Sequence, residues 1–370
     1  MGYRYNYRGT MVRITVVIWI FLMLADPVYT QQNRIELSDG QKIFVSGMNL
    51  AWIDFARDLV DLNESGFDSA FSEIAAAGGN TVRWWLHVNG NSTPEFDSEG
   101  RVTGPGREAV DNLRKVLDMA SRHHLKMILV LWSFDMLRPN WRVDVKRNKR
   151  LIENPEYTRT YIQNALIPMV RAVKNHPGIL CWEICNEPAG MSLEHGWTPE
   201  RVSFAQIQKF HNLLAGAIHR EAPGSLVTTG AWTVQTITNI GSFVNRYADT
   251  ALISAGGDSI GVLDFYEVHY YPKWHGESYS PFHHPADYWK FDKPCIIGEF
   301  PASGIRDTGT GFKPESELTT EEAFLYVFRN GYAGCVAWTW TGHDGYGGMA
   351  EARSGMTRLK DEFPEAVEWK

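Results

Sequence analysis

Cysteine is scarce in this chain of 370 residues: Cys181, Cys185, Cys295 and Cys335 are all there is. None falls in a CxxC pattern or beside a His-rich tract, so no metal site is expected. Cys181 and Cys185 stand four apart on one extended run, ~13 Å at ~3.3 Å per residue, which is beyond the reach of a disulfide. All four lie in apolar, strand-like runs, and buried free thiols are the expectation. A Cys295–Cys335 bond stays open as an alternative if their strands are neighbours. A Gly-rich loop after the first strand-like run is also missing, which argues against a dinucleotide fold, and no cofactor is expected. Positive charge is in deficit, with 36 Lys+Arg against 43 Asp+Glu and a net charge of −7. That excludes a nucleic-acid backbone as partner, because phosphate binding needs a basic surface. The short cluster Lys146, Arg147, Lys149, Arg150 reads as a solvated face. With no repeat, linker or low-complexity stretch, one domain is expected.

A long membrane-spanning run is lacking too. Residues 11–24, MVRITVVIWIFLML, are apolar but too short to cross a bilayer, which takes ~20 residues. They fit the apolar core of a signal peptide, preceded by Arg4 and Arg8, or by Arg13 if Met11 is the start. Val28 and Thr30 suit cleavage before Gln31. Residues 1–30 are therefore expected to be a signal peptide and 31–370 the mature chain, secreted and free of the membrane after cleavage. Secretion makes Asn63-Glu64-Ser65 and Asn91-Ser92-Thr93 glycosylation candidates.

What the chain has in excess is aromatic: 13% Phe, Trp and Tyr, with 14 tryptophans. Such residues mostly pack cores, yet indole faces near loops also stack on the C–H faces of sugars. Asp39-Gly40 between two short alternating runs predicts an N-terminal hairpin. Eight apolar runs follow: 43–52, 80–87, 125–133, 179–188, 225–232, 263–271, 294–300 and 334–342. Amphipathic segments separate them at 69–77, 107–124, 156–175, 200–220 and 319–330. Eight strands alternating with helices describe a (β/α)8 TIM barrel, its bottom covered by the hairpin. An open doubly wound sheet is the competing arrangement.

In such a barrel, chemistry sits at the C-terminal ends of the strands. The second strand ends in Arg83, Trp85 and His87, all of one parity. The fourth ends in Asn186-Glu187, the sixth in His269 and Tyr271, the seventh in Glu299, the eighth in Trp338 and Trp340. Two carboxylates on separate strands with no metal ligands suggest paired acid/base work on a glycosidic bond, one carboxyl kept protonated and the other ionised. Arg83 beside Glu299 would keep it ionised, whereas Glu187 needs a raised pKa. Arg83 is equally able to pair with Glu183, and His87 and His269 to be core histidines.

The stretches NTVRWWLH, WEICNEP, EVHYYP, IIGEF and AWTW together resemble glycoside hydrolase family five, over essentially all of residues 34–345. Longer stretches, AAGGNTVRWWLHVNGNSTPEFDSEGRVTG among them, are similar to the secreted endo-β-1,4-mannanases of invertebrates. The resemblance implies a retaining (β/α)8 enzyme with Glu187 as acid/base and Glu299 as nucleophile. It also implies that Asn186 bonds the sugar 2-hydroxyl, that Arg83 and Tyr271 hold Glu299, and that His269 lies near Glu187. Trp338, or Trp340 in its place, is expected to floor the −1 sugar. The chain departs from the family at Trp132, where many members have His; Trp132 is then expected as a sugar platform and His87 as a partial replacement. The implied substrate is a polysaccharide, mannan or glucomannan, cleaved by a monomer. An endo-β-1,4-glucanase with the same machinery, or a non-catalytic carbohydrate-binding barrel, are the competing functions.

Overall fold

The computed structural model describes residues 1–2, 34–140, 142–306 and 316–368. The expected signal segment thus lies outside the described residues, apart from Met1 and Gly2. Strands β1 (Ile35–Glu36) and β2 (Lys42–Ile43) form the expected antiparallel hairpin, its turn closed by Gly40 at φ 81°. The eight long-range strands are β3 (Val45–Asn49), β4 (Thr81–Val88), β7 (Lys126–Ser133), β8 (Ile179–Asn186), β9 (Leu226–Ala231), β10 (Tyr266–His269), β11 (Cys295–Glu299) and β12 (Gly334–Ala337). They close into one parallel barrel, β12 pairing back to β3. Between β4 and β7 the short pair β5 (Glu95–Phe96) and β6 (Val102–Gly104) folds as a second hairpin. The open doubly wound sheet is excluded by closure.

Period-two strands put alternate side chains on opposite faces, and two apolar layers result. One fills the space between barrel and helices, with Trp84, Leu129, Trp182 and Val268 from the strands. The other fills the barrel, with Ile128, Val130, Ile296 and Val336. Ile35 and Ile43 of the hairpin join the inner layer beside Val45, Leu180, Phe265 and Ala333, at the strand starts, so the hairpin does close the bottom.

The helices follow their capping chemistry rather than apolar period alone. Helix Glu64–Ala76 starts before the expected 69 because the Asn63 side chain accepts from the Gly66 amide. Helix Phe204–Glu221 starts after the expected 200 because Ser203 and Gln206 form a reciprocal capping box. The expected helix 156–175 is interrupted by a π turn, Ile162–Leu166, just before Pro168, which has no amide hydrogen to donate. All four cysteines are free and buried. Cys295 and Cys335 do lie on neighbouring strands, but Cys335 sits opposite Ile297, so the register leaves the two thiols unlinked.

Candidate active site

Strand β8 stops abruptly at its polar end. Glu187 takes left-handed backbone angles, φ 47° and ψ 50°, and Pro188 opens a 3-10 turn over Pro188–Met191. The Glu187 amide is held by the carbonyl of Gly230 on β9 at 2.8 Å. A left-handed non-glycine residue is strained, and the strain turns Glu187 out of the strand and over the barrel mouth.

Arg83 on β4 organises what lies beneath. Its guanidinium is fully buried and donates to Glu183 twice, from Nε at 2.6 Å and Nη2 at 2.7 Å. Nη1 donates to Glu299 Oε1 at 2.6 Å and to Asn49 Oδ1 at 2.9 Å. Nη2 also donates to Asn186 Oδ1 at 2.8 Å. The two partners weighed for Arg83, Glu299 and Glu183, are thus both correct, since five donors serve several acceptors at once. With its Oδ1 taken, Asn186 has its NH2 group left to meet a ligand.

Tyr271 donates its hydroxyl to Glu299 Oε2 at 2.7 Å. His269 Nδ1 lies 2.9 Å from Glu187 Oε1 and 3.6 Å from Glu299 Oε1. One oxygen each of Glu187 and Glu299, with a ring nitrogen of His269, fall within 4.8 Å of one another. Among the described residues this is the sole set of such groups with metal-binding spacing. Its members are already committed to one another and to Tyr271 and Arg83, whose fixed positive charge opposes a second cation.

The two carboxyls are electrostatically unequal. Burial pushes Glu187 well above the ordinary carboxylate range, and the neighbouring Glu299 charge pushes it further. Burial also pushes Glu299, to about 7, against the pull of Arg83 and the Tyr271 hydrogen bond. Arg83 pulls Glu299 toward the ionised form while burial opposes it. The order survives, with Glu299 the first of the two to ionise. Tyr271 is itself pushed up by burial and by Glu299, so it keeps the proton that it donates.

Aromatic rings wall the mouth. Trp338 packs edge-on against Trp52 at 5.8 Å and tilted against Trp85 at 5.7 Å, its Nε1–H donated to Asp344. Across the cleft Tyr271 meets Tyr346 at 4.8 Å and stacks on Trp232 at 6.2 Å, and Trp232 leans on Trp197. Trp274, 59% exposed, reaches Tyr346 with its indole N–H.

Three expected residues are elsewhere. Trp340 donates Nε1–H to Glu73 on the outer helix Glu64–Ala76, so it faces away from the mouth. Trp338 is the tryptophan that remains at the site. Trp132 is fully buried between barrel and helices and offers no face to a sugar. His87 is buried with it, 5.1 Å from the Trp132 ring and 5.5 Å from Tyr161, and its Nδ1 is paired with Thr93 Oγ1 at 2.8 Å. Burial lowers the His87 pKa to about 3, so it is a neutral packing residue and no substitute for the missing family histidine.

Sequence reasoning passed over Asn49, Trp52, Trp232 and Glu267. Glu267 had a legible signal, its parity with His269 and Tyr271 on one strand. Asn49 donates Nδ2 to the Gly298 carbonyl at 2.9 Å and ties β3 to β11 under the site.

A closed parallel barrel with two glutamates raised over its C-terminal mouth defines a glycoside hydrolase, and the chain belongs to the family described as cellulase (glycosyl hydrolase family 5), matched over residues 37–344. Within it, the chain is 35% identical over 330 residues to the mannan endo-1,4-beta-mannosidase of Mytilus edulis, covering 83% of this chain and 85% of that one. It is 32% identical to the enzyme of that name from Cryptopygus antarcticus, over 87% of both. Among solved structures it resembles the beta-mannanase of the blue mussel, with a TM-score of 0.80 at 31% identity, covering 91% of this chain and 99% of that one. The beta-1,4-mannanase of the sea hare Aplysia kurodai gives 0.78 at 32%, over 88% and 94%.

Proposed function

We propose that this chain is a secreted endo-β-1,4-mannanase that cleaves internal bonds of mannan or glucomannan with retention at the anomeric carbon. The observation that carries the reading is the pair of unequal carboxyls, Glu187 and Glu299, with one oxygen of each inside 4.8 Å. Retaining glycosidases hold their carboxyls ~5–5.5 Å apart, whereas inverting ones leave ~6.5–9.5 Å for a water. The mannan-cleaving relatives supply the sugar.

In the first step Glu299 attacks the anomeric carbon, the C–O bond to the leaving sugar breaks, and Glu187 gives its proton to that oxygen. Water then attacks the glycosyl-enzyme while Glu187 takes a proton from it and Glu299 leaves as carboxylate. Asn186 bonds the 2-hydroxyl through the NH2 group that Arg83 leaves free, and Trp338 forms the floor of the −1 subsite. Export opens Asn63 and Asn91 to glycosylation, and the enzyme works as a monomer.

Reducing-sugar release from linear mannan, glucomannan and soluble cellulose tests the sugar. Release from the first two alone is expected; release from cellulose transfers the proposal to a glucanase. Glu187→Ala and Glu299→Ala test the roles. Each is expected to lose roughly 10³-fold or more in kcat on polymer. Only Glu187→Ala regains turnover on aryl mannosides with activated leaving groups, which need no proton. Equal behaviour of the two variants there would refute the assignment.

A further inference from the structure

Trp338 follows directly on β12, and its backbone is fixed on both sides. Its amide donates to the Phe300 carbonyl at 2.8 Å, and its carbonyl accepts from the Ala302 amide at 2.9 Å. Its ring is held less strictly. The indole touches Trp52 edge-on and Trp85 at a tilt, contacts that carry no directional bond. The torsion about an indole's Cβ–Cγ bond is broad and roughly two-fold. A half-turn keeps the ring in its plane, shows its other face and exchanges its pyrrole and benzo edges. Packing alone therefore leaves two orientations open.

Asp344 separates them. Its Oδ2 accepts the indole N–H of Trp338. Its Oδ1 accepts the Tyr346 amide at 3.3 Å, which ties the carboxylate to its own loop. That loop, residues 342–348, is pinned in turn. The Gly342 amide donates to the Thr339 carbonyl at 3.1 Å, and the Ser303 amide donates to the Tyr346 carbonyl at 2.9 Å. Gly347 makes the second bond possible: its φ is 86°, and a Cβ there would lie 2.5 Å from the Ser303 nitrogen.

The same loop reaches the other side of the mouth. The Tyr346 ring lies 4.8 Å from Tyr271, which bonds Glu299, and its hydroxyl takes the Trp274 indole N–H at 3.4 Å. After burial, Glu299 and Glu187, the charge of Asp344 adds to the push on the Tyr271 pKa, which places the carboxylate at the mouth. Asp344 is exposed, yet both of its oxygens are engaged by protein donors. An acceptor so committed is built to hold a neighbour.

We propose that Asp344 is a positioning residue for the cleavage reaction: the acceptor that holds the Trp338 indole in one of its two orientations, so that the same ring face lies under the −1 sugar in every turnover. The proposal rests on Trp338 being the −1 floor. An indole free to turn presents the wrong face and edge for part of the time, and the bound sugar then lies out of line with Glu299. Misplacement of reacting atoms is paid in rate.

The test is a double-mutant cycle on linear mannan, read together with the indole ¹H–¹⁵N resonance of Trp338, which is assigned by its loss in Trp338→Phe. Asp344→Leu is expected to lower kcat roughly tenfold with KM within about threefold, and to move the indole proton upfield. Asp344→Asn, which keeps a side-chain acceptor, is expected to regain most of that loss. In the Trp338→Phe background, which has a ring but no N–H, Asp344→Leu is expected to add less than about twofold. An Asp344→Leu enzyme with kcat within about twofold of wild type overturns the proposal. So does an equal loss in Asp344→Asn, the mark of a required charge, and so does the full loss from Asp344→Leu on top of Trp338→Phe. Failure of the floor reading shows separately, as wild-type turnover in Trp338→Ala, while the indole resonance still tells whether Asp344 holds the ring.

Discussion

Arg83 and His87 are buried guanidinium and ring groups of the same parity on strand β4, and they meet opposite fates. Arg83 lies inside the barrel and holds Glu183, Glu299, Asn186 and Asn49. His87 lies with Trp132 and Tyr161 in a largely apolar pocket and holds Thr93. The cause is local. Pairing with β7 runs regularly to Trp85↔Val130, then slips, so that Val88 pairs with Trp132 and three β4 residues answer two on β7. Val88 takes φ 58° to complete the slip. A bulge of this kind reverses the facing of every residue beyond it. Equal burial therefore says nothing of equal role: one group is a charge hub, the other a packing piece with a polar tip.

The comparison breaks most sharply at the hub. Arg83→Met strands carboxyls that pair with no other Lys or Arg among the described residues, and is expected to cost about 3–5 kcal/mol in denaturant melts. The loss in kcat should be at least roughly 10²-fold, as for removal of an electrostatic stabiliser. Gly298→Ala drives a methyl into Glu267 and is expected to cost about 1–3 kcal/mol, read the same way. His87→Ala empties part of the apolar pocket. It should lower stability by about 2–4 kcal/mol while kcat/KM on mannan stays within about threefold of wild type. A His87→Ala enzyme that is stable but inactive would erase the contrast.

The smallest effect sharpens it. Glu299 carries a folded-state pKa of about 7 against an ordinary 4.5, so between those values the native protein binds more protons than the unfolded chain. Its contribution is present below the lower value and is lost as pH rises through the upper one. Glu299→Gln lacks that titration, so its Tm relative to wild type should gain about 1–3 °C between pH 5 and pH 8. No change in the difference would mean that Arg83 cancels the burial penalty.

The eight strands were legible because each is an uninterrupted apolar run bounded by turn or capping residues. The polar set of Arg83, Asn186, Glu187, His269, Tyr271 and Glu299 was legible because ionisable groups at strand ends have no place in a plain core. Parity failed where the backbone left regular pairing. His87 and Trp132 flank the β4 slip, and Trp340 lies three residues past the end of β12, where the chain has already turned to reach Glu73. Trp338 and Trp340 therefore look alike as letters and face opposite ways. Glu267 was missed for another reason: it shares the parity of His269 and Tyr271, but the room for its carboxyl comes from Gly298 on β11, a packing relation that letters do not show.

The interior placement of Arg83 has a consequence for the medium in which the enzyme works. Dissolved ions weaken attractions between exposed charges over a Debye length of ~8–10 Å at ordinary ionic strength, but they reach sealed pairs far less. The guanidinium and its carboxylates lie behind the barrel wall and the aromatic mouth. The charge arrangement that ranks Glu187 above Glu299 is thereby insulated from brine, and whatever salt does to this protein it does at the surface or to the polymer.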